Sequence, residues 1–156
     1  MPIPNREAAK AVFAIASLLE SLGANPYRVR AYRRAALRLL QLPQAAQQFT
    51  DDKGELVLPG LGPRLRRKLG QLVTQGRMEF YDELLEGLPR AMRELLGVPG
   101  VGPKTAARLI HDGGITTVEG LAQAARQHTL QHLRMIGPIR ERQLGEAAEA
   151  LLKRAA

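Results

Sequence analysis

The sequence predicts an all-α fold of small helical domains. Three observations carry that reading. Ala, Leu, Arg, Gln and Glu dominate the 156 residues while Val, Ile and Thr are sparse, a balance that favours helices. Apolar residues recur at three- and four-residue steps, and no segment alternates well enough to read as a strand; Leu56–Pro59 is too short. A turn built on Pro-Gly-apolar-Gly-Pro occurs twice in full and once in degenerate form, each time between two helical stretches.

The elements follow in order. Asn5 is placed to cap a first helix reaching about Leu22, with Ala8, Val12, Ile15, Leu19 and Leu22 on one face. Gly23 ends it. Asn25 caps the next helix and Pro26 takes its first position. That helix runs to about Leu40 on an apolar stripe of Val29, Tyr32, Ala36, Leu39 and Leu40. Residues 43–49 form a short helix, and Thr50–Gly54 a turn in which Asp51 and Asp52 are hydrophilic turn residues rather than a metal pair. Pro63 opens a helix that Gly76 stops, and Met78–Leu85 forms another with Phe80 and Leu84 facing inward. Helices over Pro89–Leu96 and Pro103–His111 precede the Gly113-Gly114 break. Thr117 caps a helix through about Arg126, Thr129 starts a short one, and a last helix ends near Arg154.

Composition removes several functions. Without Cys there are no disulfides, cysteine-zinc sites or thiol nucleophiles. Three separated histidines (111, 128, 132) argue against a metalloenzyme; His128 and His132 read as helix-surface residues without a third ligand. No uncharged run is long enough for a membrane span, and the N-terminus lacks the apolar stretch of a signal peptide. The net charge is +8 and the pI about 10.6. A cytoplasmic protein with an anionic partner is the expectation, nucleic acid first. The second helix carries five Arg and no acid, which suggests a phosphate-facing surface.

The repeated turn sharpens this. Leu58-Pro59-Gly60-Leu61-Gly62-Pro63 matches Val98-Pro99-Gly100-Val101-Gly102-Pro103, and Met135-Ile136-Gly137-Pro138 is the degenerate copy. Apolar helix, glycine turn and proline-started helix make a helix-hairpin-helix. The glycines are expected to supply positive φ and close backbone approach. The apolar residue between them (Leu61, Val101, Ile136) plugs into the helix pair. The following helix presents unpaired N–H groups, a site for phosphate. Basic residues follow at Arg64, Lys104 and Arg140. Such contacts hold the backbone and read no sequence. The third turn, with Met135 for its first glycine, is expected to be mainly structural or a weaker contact.

In these motifs the chain resembles the N-terminal part of family X DNA polymerases, especially bacterial ones. The similar stretches are residues 25–36, 58–78 and 96–121. The resemblance implies a lyase-like domain of the 8 kDa type with the first hairpin over residues 1–87. A second hairpin subdomain with the degenerate third turn would fill 88–156. It implies DNA that is gapped, nicked or 5′-phosphorylated as the partner, base excision repair as the setting, and a repair polymerase or ligase as a further partner. The matching DNA-binding positions are Tyr27, Arg28, Tyr32, Gly60, Gly62, Arg64, Gly100, Gly102 and Lys104. Tyr27 stands where animal members carry His, and Leu56 where they carry Lys. No cofactor is required, although Na⁺ or K⁺ on hairpin carbonyls is implied at Leu56, Leu58 and Leu61 and at Leu96, Val98 and Val101.

Lys68, six residues after Gly62, matches the family's Schiff-base lysine. A lysine attacks a sugar aldehyde as the neutral amine, so its pKa must fall, and the neighbouring Arg64 and Arg67 disfavour the ammonium. The chain has only four Asp (51, 52, 82, 112), none in a strand-like pattern, so no polymerase activity is expected in it. Three functions follow: a sequence-independent DNA-binding module, a deoxyribose-phosphate or abasic-site lyase acting through Lys68, and an RNA-binding or protein-interaction module on the same scaffold.

Overall fold

A computed structural model describes residues 1–156. It is all-α, with one isolated antiparallel bridge between Thr50 and Leu56 and no strand. The chain divides into two compact units, Met1–Glu86 and Gly87–Ala156. No helix is long and apolar enough to cross a membrane.

The first unit holds α1 (Asn5–Ser21), α2 (Pro26–Gln41), a 3₁₀ turn (Ala46–Phe49), α3 (Pro63–Gln75) and α4 (Glu79–Glu86). Asn25 caps α2 as expected, its Oδ1 accepting from Tyr27 N at 2.8 Å. Asn5 does something else. Pro4 is the N-cap of α1, and the Asn5 amide staples the helix to a distant loop, donating to the Gln44 carbonyl and accepting from Ala46 N, both at 2.7 Å. Ile15, Leu39, Leu56, Leu69 and Val73 are fully buried in the core, whereas Leu22 and Leu40, placed on the apolar stripes by spacing, are half exposed. The interior is tight around α3: a Cβ on Gly70 would stand 2.0 Å from the Gly54 carbonyl, so only glycine lets the 53–56 segment cross that helix.

The second unit holds α5 (Arg90–Leu96), α6 (Pro103–His111), α7 (Val118–Arg126), a 3₁₀ turn (Leu130–His132) and α8 (Pro138–Ala155). Thr117 caps α7, accepting from Gly120 N at 2.9 Å. The core is Leu95, Val98, Leu109, Leu121, Leu130 and Leu144. Helices α7 and α8 pack closely because a Cβ at Gly145 would meet the Ala125 Cβ at 2.7 Å. An Arg126–Glu149 ion pair also joins them. His132 is exposed at the end of the 3₁₀ turn, whereas His128 is exposed but lies outside any helix. His128 lies in the turn after α7 at φ 58°, its Nδ1 2.9 Å from Glu141, a carboxylate only 2% exposed. Gln131 gives Glu141 two more hydrogen bonds. Burial pushes that carboxyl up, but the Gln131 and His128 bonds outweigh it and hold the group below the usual carboxylate range.

Candidate nucleic-acid interface

All three turns share one backbone. The plug residues Leu61, Val101 and Ile136 are buried, and each N–H bonds the carbonyl three residues back, at 3.3, 3.0 and 3.2 Å. Gly62, Gly102 and Gly137 are the N-caps of α3, α6 and α8, and their carbonyls accept the first helical bond at 3.0, 2.8 and 2.9 Å. No side chain caps any of the three helices, so their first N–H groups remain available to an anion.

The two glycines of each turn have different duties. Only the first is left-handed, Gly60 at φ 87° and Gly100 at φ 90°. The second is extended (Gly62 −75°, Gly102 −94°, Gly137 −94°), which any residue adopts. Positive φ is therefore not what the second glycine supplies. A Cβ there would meet nothing within 4 Å, so glycine keeps the helix entrance bare. Met135 takes the left-handed conformation of the first glycine at φ 70°, so the third turn is complete in geometry though degenerate in sequence.

Arg64 and Lys104 lie on the exposed side of their helices, immediately after the proline. Arg140 does not repeat them. It is half-buried and its Nη2 donates to Thr105 Oγ1 at 3.0 Å and to the Gly100 carbonyl at 3.4 Å, bracing the second turn. The residue in register with Arg64 and Lys104 is Ile139. In the first turn Arg66 Nε donates to the Leu61 carbonyl at 3.1 Å, and Leu58 and Val98 carbonyls serve the turn bonds. A monovalent cation on Leu61 would compete with that guanidinium, and in the second turn the Arg140 guanidinium lies on the adjoining Gly100 carbonyl.

Lys68 sits one helical turn beyond Arg64, half-buried. Its Nζ lies 3.7 Å from the centre of the Phe80 ring and donates to the Tyr32 hydroxyl at 3.4 Å. The Arg28 guanidinium lies 5.1 Å from the same ring, and Tyr32 stacks on it at 6.2 Å. Burial lowers the Lys68 pKa, and Arg28, Arg64 and Arg67 lower it further against the opposing charge of Glu83. Burial raises the Tyr32 pKa, so its phenol stays neutral. A cleft of about 480 Å³ opens beside Lys68, walled by Arg67, Phe80, Glu79 and Glu83. The fold thus gathers Arg28, Tyr32 and Lys68 around Phe80, with the exposed Arg64 close enough to act on the Lys68 charge. Tyr27 is not joined to them by any hydrogen bond or ring contact; it is 75% exposed, with the Arg30 guanidinium 4.7 Å above its ring. Sequence reasoning placed Phe80 only in the core and passed over Glu83. An aromatic residue just past the Gly76 stop was the available signal for Phe80.

Residues 3–78 match a family described as a helix-hairpin-helix domain, and residues 92–150 match a SAM-like helix-hairpin-helix tandem. Each of the two units thus matches a helix-hairpin-helix family model. More particularly, the chain matches the N-terminal helix-hairpin-helix region of family X DNA polymerases. It is 30% identical over 139 residues to the DNA polymerase/3′-5′ exonuclease PolX of Bacillus subtilis (strain 168), which covers 86% of this chain. The chain spans about a quarter of that relative's length, 24%.

Proposed function

We propose that the chain is a sequence-independent DNA-binding module for gapped or nicked DNA in repair. The observation that carries this reading is the repeated turn: an uncapped helix N-terminus behind a bare glycine, with Arg64 or Lys104 beside it. The relative's name, a DNA polymerase and exonuclease, supports DNA as the ligand class. A repair polymerase or ligase is the partner such a module serves, and hairpin carbonyls are the proposed holders of a bridging Na⁺ or K⁺.

Titration of labelled gapped duplexes against salt tests it. With about five phosphates neutralised, log K falls with log salt at a slope near −4.5. A 5′-phosphate at the gap tightens binding relative to a 5′-hydroxyl by about 1–2 kcal/mol, the range of a charge-assisted hydrogen bond. A flat salt response, or strong preference among scrambled sequences, refutes the reading.

The Lys68 cluster favours a second activity, deoxyribose-phosphate lyase. The neutral Nζ adds to the sugar C1′ aldehyde and water leaves as the imine forms. A base then removes a C2′ proton, and the C3′–O bond breaks to release the phosphate. Borohydride trapping on a pre-incised abasic duplex tests this, with loss of the adduct expected in Lys68→Ala.

A further inference from the structure

The third hairpin keeps the backbone of the other two and changes its chemistry. Where they present glycine, it presents Met135, 75% exposed and held left-handed at φ 70°. Where they present Arg64 and Lys104, it presents Ile139, 65% exposed. Two large apolar side chains thus stand in water on either side of Ile136, which is buried, and Gly137, whose Cβ position is open. A left-handed backbone at a non-glycine residue persists only where its surroundings enforce it, and such residues gather at functional sites.

The surroundings of this tip are cationic. Arg134 and Arg142 are exposed on either side. The one acid of the segment, Glu141, is buried on His128 and Gln131 and offers no negative charge to the surface. Two side chains are far too few for a stable protein interface, and flanking arginines on a chain of net charge +8 repel a second copy. They are enough for a base step: proteins that deform DNA insert one or two side chains such as Met or Ile between base pairs, while nearby cations hold the phosphates.

We propose that the third hairpin is a wedge, with Met135 and Ile139 entering between two base pairs of the bound duplex and partially unstacking them. This rests on the DNA-binding reading and adds a deformation to it. The duplex beside a gap or nick is where such a wedge acts at least cost, because stacking is already interrupted there.

The test uses the whole chain and gapped duplexes carrying 2-aminopurine at successive steps around the gap, with affinity followed separately by anisotropy. The expected result is a severalfold fluorescence rise at one or two adjacent steps on saturation with wild type. The rise is lost in a Met135→Gly/Ile139→Ser double variant, whose affinity falls several-fold while its salt slope stays unchanged, since no cation is removed. Both sites are exposed and glycine suits the backbone at 135, so the variant folds; far-UV circular dichroism checks that. Lys104→Ala reverses the pattern, reducing the slope by about 0.9 and keeping the rise at saturation. Wild type that binds without any rise, or a double variant that retains it, overturns the wedge and leaves the binding reading intact. A double variant altered only in self-association overturns it in favour of protein docking. Wild type that does not bind at all removes the binding reading, and the wedge with it.

Discussion

Replacing Gly100 and Gly102 by alanine, one at a time, separates the two duties of the hairpin glycines. Gly100 has φ 90°, where a Cβ costs about 1–2 kcal/mol. Its nearest foreign atom would be Leu144 Cδ2 at 3.8 Å, ordinary contact, so the backbone strain stands alone. A loss of that size lowers the folding constant about 5- to 30-fold. In a unit of this size it drops the midpoint by roughly 4–8 °C per kcal/mol. Gly102 is extended with open space at its Cβ, so alanine there stays within about 0.5 kcal/mol of wild type. The added methyl group instead occupies the entrance of α6, where phosphate is proposed to approach. Thermal unfolding and DNA anisotropy on both variants give the answer. Gly100→Ala is expected to lose stability, and Gly102→Ala to keep stability and lose affinity. Unaltered stability in the first, or unaltered binding in the second, refutes the division of labour.

Other predictions follow from the same contacts. Met135→Gly removes a left-handed non-glycine residue and should raise the midpoint of the second unit, a gain of about 1 kcal/mol by denaturant titration. Glu141→Ala removes the hydrogen bonds that Gln131 and His128 make to a buried carboxylate and should cost about 1–3 kcal/mol in the same titration. Because the folded Glu141 pKa lies below its ordinary value, its ionised form contributes stability above the ordinary carboxylate range, and that contribution disappears as pH falls through the folded value. Lys68 runs the opposite way. Its folded pKa is lowered, so the penalty on its ammonium is full below the folded value and relieved as pH rises towards 10.5. Imine trapping by Lys68 should therefore level off at lower pH than for a free lysine, and Arg28→Ala should move that pH upward. Arg140→Ala loosens the second turn by about 0.5–1.5 kcal/mol without changing the salt slope of DNA binding, since its guanidinium is spent on Thr105 and Gly100.

Much of this molecule is legible in its sequence because helix signals are local. Asn25-Pro26, Thr117 and the prolines at 63, 103 and 138 open helices where spacing places them, since a cap or a fixed φ acts within one turn of chain. The plug residues were legible for the same reason: an apolar residue inside a tight turn has only the helix pair to enter. What tertiary structure decided are interactions whose partners lie far along the chain. Asn5 looks like a cap until Ala46, 41 residues on, claims its side chain. His128 and His132 look like a helical pair until Glu141 turns inward to meet one of them. Phe80 reads as core, and only the packing of α4 against α2 and α3 puts its face on Lys68 and Arg28. The lowered lysine pKa depends on that packing too, because desolvation and the charge of Arg28 arrive from other elements. The sequence by itself determined where the chain turns and which helices follow. The tertiary structure decided which side chains face one another, because burial and Coulomb interaction depend on distance in space and not along the chain.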